Sequence, residues 1–121
     1  MAAAPPGWPA GVPAPDAPDW ERRAVGWLFD QCPADLRAHE VLRRQPLVLA
    51  YVAQRHVGGA LQATTETIAT MRADLRVDVP PEALAQALDA LGREQARLAS
   101  AARSAALVAE ALRGVRRRPR L

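Results

Sequence analysis

The sequence predicts an all-α protein: a long antiparallel helical hairpin, coiled-coil-like, with two short N-terminal helices packed on it. Three observations carry this. Apolar residues step by three and four through two long segments near the middle and end of the chain. The pair Pro80-Pro81 separates those segments. Half of the 121 residues are apolar, yet only Trp8, Trp20, Trp27, Phe29 and Tyr51 are aromatic, so the core is built from Ala, Leu and Val, which suits helices in close approach.

Residues 1–18 hold six prolines and six alanines. Proline fixes φ and donates no amide, so this stretch is expected to be a disordered, solvated leader. A Pro-rich segment is also a possible ligand for an aromatic groove, a reading the composition favours less.

The first helix is expected over residues 19–31, where Trp20, Ala24, Trp27, Leu28 and Gln31 share a face. Asp19 and Glu21 sit at its positive end, and Cys32-Pro33 ends it. A second, short helix fits residues 34–44, anchored by Leu36, Val41 and Leu42. Gln45-Pro46 then breaks the chain and starts the third helix, residues 47–76, with Pro46 at or near its first position.

In the third helix Val57, Leu61, Thr64, Ile68, Met71 and Leu75 form a heptad seam. After a turn at residues 77–80, the fourth helix is expected over 81–113, with Gly114 as its C-terminal cap. Its seam is Leu84, Leu88, Leu91, Gln95, Leu98, Ala102, Ala105, Ala109 and Leu112. A short connection makes the two long helices antiparallel neighbours, pairing residues whose numbers sum to about 157. Ile68 is then expected near Leu88, Leu61 near Gln95, and Val57 near Leu98. The domain plan is a leader at 1–18, a helical domain at 19–114 and a disordered Arg-rich tail at 115–121.

The net charge of +3 is unevenly placed. Residues 113–121 carry five arginines and no acid, while the other 112 residues carry eleven arginines against thirteen acids. The tail residues Arg113, Arg116, Arg117, Arg118 and Arg120 are therefore the candidate nucleic-acid contacts, of a weak, salt-sensitive and sequence-blind kind. No aromatic is interleaved with them for base stacking, and a solubilising tail explains them as well. The chain has no Lys and no Asn, a bias of GC-rich coding that weakens any inference from the choice of Arg over Lys.

Catalytic and metal chemistry find little purchase. Cys32, His39, Glu40 and His56 are the soft-metal candidates, but no spacing among them resembles a zinc motif. Thr64, Thr65, Thr67 and Thr70 lack an activating base with an orienting partner, and threonines on a helix satisfy their hydroxyls on the preceding turn. Arg72, Asp74, Arg93, Glu94, Arg97, Glu110 and Arg113 read as solvated helical faces with i,i+3 and i,i+4 pairs. No phosphate loop or dinucleotide pattern is present, so no cofactor is implied. The expectation is a non-enzyme.

Gly58-Gly59 in mid-helix costs about 1 kcal/mol per glycine against alanine. The hairpin register sets both opposite Leu98, and room for that side chain is the expected reason. With one cysteine an internal disulfide is impossible, and a reducing cytoplasm is the expected setting. No apolar run is long enough to span a membrane.

The run from Trp27 through Asp30, Cys32-Pro33 and Asp35-Leu36-Arg37, followed by Val41-Leu42-Arg43-Arg44-Gln45-Pro46, resembles small hypothetical helical proteins of high-GC actinobacteria. The likeness covers most of residues 20–114 and implies neither an activity nor a site residue.

The expected function is a helical protein–protein interaction or scaffold module that associates with itself or another protein. The alternative is an accessory nucleic-acid-binding protein using the tail. Near the hairpin turn Leu75, Leu84, Leu88 and Leu91 have only each other for burial, and a two-helix layer leaves such a stripe wet. Those four are the candidate self-association residues, and a homodimer is expected.

Overall fold

A computed structural model describes residues 3–117, with side chains to Gly114. The fold is all-α, with no strand among the described residues. Helix α1 is Trp20–Asp30, a 3-10 turn comes next at Ala34–Ala38, and α2 is Glu40–Arg44. The long pair is α3, Pro46–Leu75, and α4, Pro81–Arg117. At 1.5 Å per residue these are about 45 and 55 Å long.

Pro46 occupies the first turn of α3, where its missing N–H costs nothing. The turn closes by bonds from the Asp78 and Val79 amides to the Leu75 carbonyl. The Pro80 carbonyl then accepts from Ala83 and Leu84 and opens α4. The two long helices run antiparallel. Val57, Leu98 and Ala101 form one buried cluster, flanked by Leu61 and Ala102, so the expected Val57–Leu98 neighbourhood is present. Further along, the Gln95 amide donates to the Thr65 hydroxyl at 3.0 Å.

The main core lies at the open end of the hairpin. Leu49, Ala50 and Ala53 of α3, with Val108, Ala109 and Leu112 of α4, join Trp20, Ala24, Leu28 and Phe29 of α1 and Leu42 of α2. Alanine at four of those positions lets the backbones approach closely. Trp20 is buried, and Trp27 packs half-buried on the same cluster.

Four sequence expectations are corrected. The single helix over 34–44 is two pieces, because His39 takes an extended conformation (φ −94°, ψ 102°). Leu36 and Leu42 are six residues apart, about 240° around a continuous helix, so one helix could not turn both inward. The break lets Leu36 pack on the core and Leu42 enter it.

Gly114 is not a cap. α4 continues to Arg117, and Gly114 is absent from the positive-φ glycines that such a cap uses. The start of the tail is thus helical. Gly58 and Gly59 are not seats for Leu98: a Cβ built on either meets nothing within 4 Å. Val57 holds the seam position, which turns the next two residues outward.

The leader departs most from expectation. Residues 3–19 are not a disordered, solvated leader but a train of four reverse turns. The amides of Trp8, Val12, Ala17 and Trp20 each bond the carbonyl three residues back, at Pro5, Pro9, Ala14 and Ala17. The third residue of each turn has positive φ: Gly7 at 87°, Gly11 at 82°, Asp16 at 73° and Asp19 at 63°. This is the pattern of type II turns. The fourth residue of three turns is a large apolar side chain, and Trp8, Val12 and Trp20 all pack on the main core.

Candidate functional site

The two halves of the hairpin differ in how they are covered. At the open end, α1, α2 and the leader lie over α3 and α4. Toward the turn, α3 has no buried residue after Val57, and α4 has none between Leu84 and Leu98. About 18 residues of each helix, roughly 27 Å, form a bare two-helix arm. Its seam residues Leu61, Thr64, Ile68, Met71, Ala87, Leu88 and Leu91 are only half-buried. Of the four candidate self-association residues, Leu84 is buried beneath the turn, Leu88 and Leu91 are half-buried, and Leu75 is exposed.

The α3 side of the arm is short of charge, whereas the α4 side carries Glu82, Asp89, Arg93, Glu94 and Arg97. Between Arg55 and Arg72, Glu66 is the sole Asp, Glu, Lys or Arg. The threonines there are turned inward chemically: Thr65, Thr67 and Thr70 donate to the carbonyls of Leu61, Ala63 and Glu66 at 2.8, 2.8 and 3.0 Å. Their hydroxyls are held, and with the exposed Gly58, Gly59 and Ala60 this side of α3 offers small, uncharged surface. No nucleophile with a base emerges from it.

Other sequence candidates fall apart in space. Among the described residues no three of His, Cys, Asp and Glu converge as a metal site. His39 and His56 are exposed, and Cys32 is half-buried with its thiol donating to the Leu28 carbonyl. Burial pushes the Cys32 thiol above its ordinary pKa, and the Arg37 charge opposes that in part. Glu94 and Arg97 pair through both carboxylate oxygens, which lowers the Glu94 pKa. This pair is exposed and screened. Arg113 is exposed on α4, Arg116 and Arg117 fall in its last turn with side chains outside the described residues, and Arg118 and Arg120 lie beyond them altogether.

Sequence reasoning overlooked two features. Arg37 and Arg43 both lie over the Phe29 ring, 5.6 and 5.1 Å from its centroid, beside an open groove of about 420 Å³ floored by Val25, Gly26 and Pro46. Both arginines pair with acids, Asp30 and Glu40, and Glu21 and Arg22 also line the groove, so it gathers charges of both signs. At the open end Val48 and Tyr51 are about half exposed, and Arg55 stacks on Tyr51 and donates to its hydroxyl. Neither feature had a sequence signal, since each depends on which helices meet.

No helix among the described residues is long and apolar enough to cross a membrane. The fold and its surfaces define the class: an all-α helical hairpin with an N-terminal cap of short helices and turns. Compared with family models, with curated proteins and with solved structures, the chain matches none.

Proposed function

We propose that this chain is a non-enzymatic helical interaction module that associates with a second copy of itself through the two-helix arm. One observation carries the reading: the main core lies at the open end, while the arm's seam stays half-buried and the outer face of its α3 half carries Glu66 as the sole charge between Arg55 and Arg72. A solvated helix normally carries charge on its outer face. Two such arms laid together make a four-helix layer that covers Ile68, Met71, Leu75, Leu88 and Leu91.

Sedimentation equilibrium across the micromolar range tests it, with a concentration-dependent mass as the expected result and one unchanging monomer mass as the contrary one. The same samples passed over DNA and heparin test the alternative. Retention lost on removing residues 114–121, without any change in sedimentation, favours a nucleic-acid role for the tail.

A further inference from the structure

We propose that the face formed by α1 and α4 is a binding site for tandem Pro-x-Gly turns, each ending in an apolar side chain, and that residues 5–12 occupy it in cis. The leader contains two such units, Pro5-Pro6-Gly7-Trp8 and Pro9-Ala10-Gly11-Val12. The helices read both in the same way. The glycine carbonyl of the first accepts from the Ser104 hydroxyl of α4 at 2.7 Å, and that of the second from the Arg23 guanidinium of α1 at 2.7 Å. The residue after each glycine supplies the apolar contact. Trp8 packs on the main core with its ring 6.0 Å from that of Trp20, and Val12 is buried in it.

The turns themselves are preformed. Each closes on its own backbone bond, and the Trp8 indole N–H folds back to the Val12 and Pro13 carbonyls at 3.0 and 3.1 Å. Among the described residues the backbone–backbone bonds of residues 5–12 are local, and the hydrogen bonds from this segment to α1 and α4 come from the Arg23 and Ser104 side chains. A segment that carries its own conformation and is read through carbonyls and apolar tips is held as a ligand is held.

The hydrogen-bonding groups of the helices stand to lose little when it leaves. Ser104 can bond a carbonyl of the preceding turn, as Thr65, Thr67 and Thr70 do, and Arg23 is exposed. Leaving uncovers the apolar surface around Trp20, which a second segment of the same chemistry can take. A tethered leader holds the site at a high effective concentration, so exchange needs a free end or a concentrated competitor. This inference does not depend on the pairing of arms.

The test keeps every native residue. A protease site inserted after Asp16, which is exposed, allows the leader of the full chain to be cut after folding. The cut leader is expected to stay bound, and a fluorescent peptide of residues 3–16 is expected to replace it saturably with the helical signal unchanged. Peptides with Trp8→Ala or Gly7→Ala are expected to compete at least about tenfold less well, the loss of one anchor's worth of affinity. Helix loss on release of the leader would overturn the proposal by making the leader part of the core. So would a folded body that never takes the peptide up, or one that takes up the variant peptides equally.

Discussion

The Ser104 hydroxyl donates to the Gly7 carbonyl at 2.7 Å across 97 positions of sequence. Among the described residues Ser104 is the buried polar one, and this bond ties the first turn of the leader to the last helix. Ser104→Ala removes the donor while the Gly7 carbonyl, on an exposed residue, turns to water. The expected cost is about 1 kcal/mol. Urea unfolding of the variant checks it, and a loss too small to measure means the leader contributes nothing to stability at this point.

Glycine substitutions are expected to act in opposite directions at two places. Gly7 has φ of 87°, where a Cβ is strained, and its Cβ would lie 3.4 Å from the Leu107 side chain. Gly7→Ala is expected to destabilise by about 1–2 kcal/mol. Gly58 lies mid-helix with open space around it, so Gly58→Ala is expected to stabilise by about 1 kcal/mol. Thermal melts of both variants decide it. A Gly58→Ala chain that melts lower, or associates less, makes Gly58 a contact point rather than open surface.

Trp20 is 5% exposed where α1, the leader and the hairpin meet. Trp20→Ala is expected to cost about 3–5 kcal/mol. Trp27, half-buried on the same helix, is expected to cost less, since it makes part of its contacts with water. Denaturant midpoints at constant slope give both values. Equal losses would mean that α1 is docked by both indoles alike.

The hairpin was legible in the sequence because its signals are local and periodic. Val57, Leu61, Thr64, Ile68 and Met71 keep the 3/4 rhythm and are all inward, and Pro46 and Pro81 mark the helix starts. The leader was misread as disordered, although its turns leave a local signal. Pro6-Gly7, Pro15-Asp16 and Pro18-Asp19 are turn dipeptides, each with a residue that tolerates positive φ in the third position of its turn. Counting prolines hides this, because it treats proline as a breaker and ignores the residue after it. The break at His39 and the outward turn of Gly58 depend on which residues the core takes up, and no single segment of sequence states that. The functional surfaces were less legible still, since an arm is recognised only by what fails to cover it.

The Cys32 thiol is expected to label slowly at neutral pH, because burial raises its pKa and so disfavours the reactive thiolate. The same shift makes stability depend on pH. The folded chain holds the thiol proton more tightly than the unfolded chain, so this contribution is present below the ordinary thiol pKa and is lost as pH rises through the raised one. Arg37→Gln removes the opposing positive charge and is expected to push the thiol higher and slow labelling further. Iodoacetamide rates against pH check both, and faster labelling in the variant contradicts the account.

Pairing of arms is read by light scattering of the full chain beside Leu88→Arg. Leu88 is half-buried on the arm, well away from the main core, so the variant keeps the open end intact. Circular dichroism confirms that its helices persist. The parent is expected to scatter at micromolar concentration as twice 13.0 kDa and the folded variant as 13.0 kDa. A parent that scatters as 13.0 kDa throughout, with a cooperative melt, would contradict that pairing.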